Sequence, residues 1–333
     1  MQKSKLNLPI PSHETFDVHD PSKIQEFQDC PRGYFFRYVL GWQKDASNVH
    51  LVFGSAWHEA MEVLMLKGYT TDALDEAYSR FMSVYREGFP NDAEDITRAP
   101  KNPEGALKAL VAYVDYWDRY DKFETLHVEV AGAVPVSPSR VIHTKLDSII
   151  RDEFGHIRSR EHKTTGRNTE AWRNKWGIML QPDAYTHLLR AAYPNDEVYG
   201  IEINGAVFTK SKGAEFIRIP VQKTDKNMRR FLWEVNHWLD QIDWNFRMLE
   251  EAKESDDIMH CFPKNGTSCS KFGCKYPGLC SSWDNPLQQA HAPPPGYVVE
   301  RWDPRKREED ARVLAEPTPD GRVQLKKQEK EDD

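Results

Sequence analysis

The stretch SREHKTT, residues 159–165, sets Glu161 and Lys163 two positions apart with His162 between them. In a β-strand residues i and i+2 point to the same face, so an acid and an amine stand side by side where the strand ends. Just upstream, RVIHTKLDSII (140–150) carries Asp147 among Leu146, Ile149 and Ile150. A carboxylate inside an apolar strand needs a partner or a cation. The turn residues of EFG (153–155) join the two runs into a hairpin, which lets Asp147 and Glu161 converge from adjacent strands. Convergent carboxylates repel, and a divalent cation relieves that repulsion. Mg²⁺ or Mn²⁺ suits oxygen donors, and Mg²⁺ keeps waters for a substrate phosphate. Lys163, on the Glu161 face, would orient or deprotonate an attacking water. Taken alone, Glu-x-Lys is more often a solvated strand face; the buried Asp is the informative part.

Outward from this hairpin, the chain to residue 122 reads as mostly helical. Residues 21–42 form two pieces around Pro31, 54–68 an amphipathic helix closed by Gly68, and 71–88 and 103–122 two more helices. Three strands follow (126–136, 140–152, 155–165), then a helix over 170–192 in which Gln181 caps and Pro182 takes the first helical position. Strands at 198–210 and 214–221 and a long helix at 224–253 complete the pattern. The order α–β–β–β–α–β predicts one mixed α/β domain over 14–285, with a helical insertion at about 60–122 and a Cys-rich segment at 261–280. Residues 286–333 are Pro-rich and densely charged, a composition that predicts a disordered tail.

The 333 residues carry a formal net charge of −7 and are 39% hydrophobic, and the mean hydropathy is −0.72. No apolar run reaches membrane-spanning length, and the N-terminus lacks a leader-like apolar segment, so a cytoplasmic location is expected. The charge gives no global signal for nucleic acid, but phosphate contacts need only a local basic surface. Arg140, Lys145, Arg158, Arg160, Arg167, Arg173 and Lys175 cluster in sequence around the hairpin. Trp172 and Trp176, four apart, interleave with them and would either stack on bases or belong to the core. Of the five cysteines, four (Cys261, Cys269, Cys274, Cys280) fall within about twenty residues, a spacing that favours metal ligation over disulfides.

A strand with Asp, a turn and a strand with Glu-x-Lys together resemble the PD-(D/E)XK nuclease superfamily, whose fold is a restriction-endonuclease-like mixed sheet. Gly54 and His58 in GSAWH, and Gln181 and Tyr185 in QPDAY, resemble the Gly-x-x-x-His and Gln-x-x-x-Tyr helices of its RecB-like branch. Glu129 stands on the first core strand, where relatives often carry an acid. The resemblance implies that Asp147, Glu161, Lys163, Gln181 and Tyr185 are catalytic. It also implies a Mg²⁺ or Mn²⁺ site formed by His58, Asp147, Glu161 and the His162 carbonyl, and DNA contacts from Arg167, Arg173 and Lys175. Cys30, in CPRGYFFRY, together with Cys269, Cys274 and Cys280, resembles the [4Fe–4S] nucleases of that branch, which include the nucleases of CRISPR adaptation and the AddB nuclease domain. The alternatives are zinc on the same cysteines or unligated thiols, and Cys261 is a spare that could replace one of the four. Arg32, Tyr34 and Arg37 would support that group or touch DNA. The implied activity is metal-dependent DNA exonuclease in recombination, repair or phage DNA metabolism, acting on single strands or duplex ends. The alternatives are a structure-selective endonuclease and a non-catalytic DNA-binding scaffold. No Walker A run is present, so a motor would come from a helicase or recombination partner.

Overall fold

Short polar caps and prolines set the element boundaries. The computed structural model describes residues 9–45, 48–210, 213–252, 260–269, 274–282 and 290–328. Asp20 accepts the Lys23 N–H to cap α1 (Pro21–Asp29), with Pro21 at the start, where its missing N–H costs nothing. Pro31 opens α2 (Pro31–Tyr34), which runs into a π-helical turn at Phe35–Val39 and leaves Cys30 extended at the junction. After β1 (Trp42–Lys44), Asn48 caps α3 (Val49–Lys67), which Gly68 closes at φ 77°. Thr70 caps α4 (Thr71–Gly88); α5 (Asp95–Arg98) is a single turn; Asn102 caps α6 (Pro103–Trp117). The chain then turns to strands β2 (Phe123–Ser137), β3 (Arg140–Asp152) and β4 (Ile157–Thr165), followed by α7 (Glu170–Asn174) and α8 (Leu180–Ala192). Strands β5 (Val198–Thr209) and β6 (Gly213–Val221) precede the long α9 (Asp225–Glu251). The remainder holds α10 (Gly266–Cys269), α11 (Pro277–Ser282), β7 (Tyr297–Val299), α12 (Lys306–Glu309), β8 (Val313–Pro317) and β9 (Val323–Lys327).

The chain forms two units. One comprises residues 1–46, 135–144 and 226–309, and the other residues 47–134, 145–225 and 310–333. In the first, the buried stripe of α9 joins Phe35, Phe36, Tyr38, Phe262 and Tyr276 in an aromatic core. β1 and β7 form a short antiparallel pair there. Hydrogen bonds that join the early and late segments of this unit include Arg32 Nε to the Phe262 carbonyl (2.7 Å), Tyr276 OH to the Trp42 carbonyl (2.7 Å) and Asn265 Nδ2 to the Asp29 carbonyl (3.0 Å).

The second unit is built on a seven-stranded mixed sheet in the order β6-β5-β4-β3-β2-β8-β9. β4 is parallel to β5, while β3–β4, β5–β6 and β8–β9 are antiparallel. Helices α3, α4 and α6 pack through Phe53, Trp57, Phe81 and Tyr113 against Ala206 and Phe208 of β5. α8 lies along β4 and β5. No helix among the described residues is long and apolar enough to cross a membrane.

Three expectations differ from what is found. The helix expected over 170–192 breaks after Asn174, passes through a 3₁₀ turn at Lys175–Gly177, and restarts at Leu180. Met179, not Gln181, takes the cap position, and Pro182 is the third helical residue. Its missing N–H is harmless there because the first four N–H groups of a helix have no partner inside the helix. The charged segment expected to be disordered contributes β8 and β9, with Val313, Ala315 and Val323 buried. β8 joins β2 in parallel, Val130–Gly132 pairing with Val313–Ala315.

That pairing depends on Gly132, where a Cβ would stand 2.1 Å from the Ala315 carbonyl oxygen. Gly132→Val is expected to destabilise the protein by about 2 kcal/mol and to expose β8 and β9. Urea unfolding together with protease sensitivity of residues 310–328 tests this, and unchanged stability would refute it.

Candidate active site

The site grows from the pairing of β3 with β4. Ser148 lies opposite Arg160 and Ile149 opposite Ser159, so Asp147 falls beside Glu161. The Asp147 N–H donates to Glu161 Oε1 (3.3 Å), and the His162 N–H donates to Asp147 Oδ2 (2.7 Å). Each carboxylate is thus held by the backbone of the neighbouring strand. Ser159, two residues before Glu161 and on the same face, donates its hydroxyl to Glu161 Oε1 at 2.6 Å. From α3, His58 brings Nδ1 to 3.2 Å from Asp147 Oδ1. Lys163 Nζ stands 3.5 Å from Glu161 Oε2, an oxygen that is buried without a hydrogen-bond donor.

Two acids in one buried place cannot share charge comfortably, and their environments drive them apart. Burial would raise the Asp147 carboxyl, but His58 and Lys163 outweigh it and hold that group below the usual carboxylate range. Burial and the Asp147 charge push Glu161 up to about 7, against the pull of Lys163 and Ser159. Burial lowers His162 to about 3, so its ring is neutral at neutral pH. That ring turns away from the carboxylates: its Nδ1 meets Asn204 Nδ2 at 2.9 Å. Burial, with the Asp147 charge, also raises Glu129 to about 7 despite its ion pair with Lys145.

Gln181 and Tyr185 face each other on α8, Gln181 Nε2 donating to Tyr185 OH at 2.8 Å. Of the seven expected phosphate-facing bases, four are paired with acids: Arg140 with Asp240 and Asp243, Lys145 with Glu129, Arg158 with Asp152, and Arg160 with Asp121 and Glu202. The other three differ. Arg167 is exposed, Arg173 donates to Asn168 Oδ1, and Lys175 lies over the Trp176 ring at 4.3 Å. Burial and the nearby Lys163 charge lower the Lys175 ammonium. Trp176 is buried, and Trp172 packs edge-to-face against it at 5.8 Å. Trp172 also seats on Gly205 of β5, where a Cβ would stand 2.7 Å from the indole. The pair is packing. Glu62, one turn beyond His58, escaped the sequence reading. Its ion pair with Arg312, 250 residues away, explains why.

In the other unit, Cys30, Cys269, Cys274 and Cys280 line one cavity of about 240 Å³, with Glu26, Arg37 and Lys275 also in its wall. Asn265 clasps two of these sulfurs: its N–H donates to Cys30 Sγ, and its carbonyl accepts from Cys269 Sγ, both at 3.4 Å. Burial raises the Cys280 thiol to about 11, and the three other cysteines add to the effect. Cys261 lies in the aromatic core. Arg32 and Tyr34 are also buried, while Arg37 pairs with Glu26. Among the described residues no three His, Cys, Asp or Glu side chains stand grouped closely enough to hold an ion as placed. The donor types still fit: carboxylates and an imidazole, one carboxylate oxygen orphaned, suit a hard divalent cation, and four thiols around one cavity suit a thiolate-bound group.

A family model described as the PD-(D/E)XK nuclease superfamily matches residues 21–281. Two solved structures are similar. One, named "Putative exonuclease", is from Eubacterium rectale, at 14% identity over 71% of this chain and 82% of that one, with a TM-score of 0.40. The other is the protein SSO0001, at 13% identity over 65% of this chain and 74% of that one, with a TM-score of 0.27. No curated protein matches the chain. The chain belongs to the PD-(D/E)XK nuclease superfamily, and its mixed sheet is the restriction-endonuclease-like core.

The buried acid pair has a measurable cost. Glu161 takes up its proton at about 7 in the fold against an ordinary value of 4.5. The folded state therefore holds the proton more tightly than the unfolded one, and stability falls as pH rises through that window. Asp147, shifted down, adds nothing to the slope there. Without divalent metal, Glu161→Gln is expected to gain stability over wild type as pH rises from about 4.5 to about 7, by at least about 1 kcal/mol, and to hold that gain above it. Denaturation at pH 5 and pH 8 checks this; an equal effect at both would contradict the assignment.

Proposed function

We propose that this nuclease is a metal-dependent DNA exonuclease that hydrolyses phosphodiester bonds at single-stranded or duplex ends. One observation supports the reading above all others. Asp147 and Glu161 lie side by side across β3 and β4, with His58 on the first and Lys163 on the second. In this reading Asp147, Glu161 and His58, with the His162 carbonyl, hold Mg²⁺ or Mn²⁺, which would supply Lewis-acid stabilisation of the phosphoryl oxygens.

The chain's own groups do the rest. Lys163 orients the attacking water and stabilises charge that gathers on the phosphorus oxygens. Gln181 and Tyr185, already paired, position the substrate strand. Arg167, Arg173 and Lys175 hold neighbouring phosphates. The Gly54–His58 and Gln181–Tyr185 spacings support placement in the RecB-like branch, hence a role in recombination, repair or phage DNA metabolism beside a helicase or recombination partner. An endonuclease would use the same residues and differ only in which ends appear.

The test is cleavage of end-labelled linear DNA with Mg²⁺ or Mn²⁺. Wild type is expected to release nucleotides from an end and to stop on chelation. Lys163→Ala should lose at least about 100-fold in rate while keeping its fold and most DNA binding. Full activity in Lys163→Ala would refute the lysine's role. Internal cuts in circular DNA would identify an endonuclease, and metal-independent binding without turnover a scaffold.

The cysteine-lined cavity supports a second element of the proposal, a [4Fe–4S] cluster on Cys30, Cys269, Cys274 and Cys280, with Zn²⁺ as the alternative. Protein purified without oxygen is expected to be brown and to hold about four iron and four sulfide per chain. Cys30→Ser should lose both colour and thermal stability. Colourless protein with one zinc would select the alternative, and metal-free protein would remove this element.

A further inference from the structure

Lys101 is a cation that the proposed chemistry does not use. It lies between α5 and α6 and is only 5% exposed. Its ammonium donates to Thr164 Oγ1 at 3.3 Å and sits 5.6 Å from the centre of the Phe53 ring. No carboxylate among the described residues acts on it; burial alone accounts for its lowered affinity for the proton, down to about 8. Every other buried or half-buried base near the site that has been described is paired with an acid or lies in the basic turn at α7. A buried ammonium with one neutral hydrogen-bond partner is costly unless a negative charge arrives to meet it.

Its position says which charge. Thr164 follows Lys163 directly and is half-buried at the end of β4. Gly54 lies beside Thr164 Oγ1, with its Cβ position 3.7 Å from that oxygen. Gly54 is one helical turn before His58, which contacts Asp147. His50 is one turn earlier again, close enough for the Lys101 charge to add to burial in lowering its ring. The ammonium thus lies at the end of β4 against Thr164, beside α3 at Gly54, one turn before His58.

We propose that Lys101, held by Thr164, anchors a backbone phosphate of the substrate strand next to the phosphate that is cleaved, through one of its non-bridging oxygens. This rests on the nuclease reading and assigns it a binding residue from the helical insertion. The phosphate provides the missing counter-charge. Lysine suits the task as a compact point charge on a long stem.

The experiment measures affinity for a short fluorescent single-stranded oligodeoxynucleotide, with Ca²⁺ present to prevent cleavage. A series of oligonucleotides each carries one neutral methylphosphonate linkage at a different position. Lys101→Met is expected to bind the all-phosphate strand about tenfold more weakly and to lower the salt-dependence slope by about 0.7. In wild type, neutralising one particular phosphate should cost affinity. That penalty should vanish in Lys101→Met, shrink in Thr164→Val and persist at all other positions. If wild type binds and cuts DNA but both variants show the wild-type pattern, Lys101 is structural and the proposal falls. If Lys101→Met does not fold, Thr164→Val decides: an unaltered pattern overturns the proposal. Wild type that neither binds nor cuts would remove the nuclease reading, and this inference with it.

Discussion

The second unit is organised around an unfavourable contact, the buried carboxylates of Asp147 and Glu161 facing each other across β3 and β4. Two like charges removed from water repel strongly, so the surrounding structure must hold them. It does so with backbone donors, which cannot move away. The Asp147 N–H serves Glu161, and the His162 N–H serves Asp147. The strands that carry these donors are fixed in turn, because β4 pairs with β5 from Ile157 to Thr165. A central strand bonded on both edges cannot slip by one residue without sending every side chain to the wrong face. The acid pair is therefore a consequence of register, and a hydrogen-bonding neutral replacement relieves repulsion without disturbing it.

The opposite face of β4 explains how that register survives. Arg160 and His162 alternate with Glu161 and Lys163, so they point the other way. There Arg160 bonds to Asp121 (3.0 Å) and Glu202 (2.8 Å), Arg218 bonds to Asp121 (2.6 Å), and Tyr69 OH donates to Asp121 (2.5 Å). Asn204 reaches both Tyr113 OH (2.8 Å) and the His162 ring (2.9 Å). Two acids and two arginines balance in this cluster. Removing any one would leave an uncompensated buried charge, which costs far more than the pair contributes. The network ties β4, β5, β6 and α6 together behind the strand whose front face carries the acids.

What could be read from sequence was local. Asp147, Glu161 and Lys163 stand out because the strand period places them on definite faces, and His58 through the resemblance of its spacing from Gly54. The fold followed from the order of such elements. What could not be read was pairing at a distance. Nothing in the spacing of Arg158 or Arg160 says that Asp152, Asp121 or Glu202 will neutralise them, and Arg312 reaches Glu62 across almost the whole chain. The segment after residue 286 misleads for another reason. Its average composition is that of a disordered chain, but strands need only alternate apolar positions. Val313, Ala315 and Val323 supply them inside a run of charges. Pro182 obeys the rule that proline suits a helix's first turn. That rule holds through the third position, and the structure uses the third.

A net charge of −7 is compatible with the proposed phosphate binding for the same reason. Many acids near the site are held by arginine and lysine, so an approaching strand meets local dipoles and not separate charges. What remains positive is Lys163, the short basic turn at α7 and Lys101 against Thr164. The Lys163 charge, together with burial, lowers the Lys175 ammonium. Holding like charges together requires an anchor, and the anchor is the tryptophan pair. Trp176 is buried, and Trp172 seats on Gly205, whose lack of a Cβ is what admits the ring to the β5 backbone. Packing these indoles seats α7 on β5 at Gly205, the residue that pairs with Lys163. In the proposed nuclease a substrate phosphate would relieve the crowding of these positive charges.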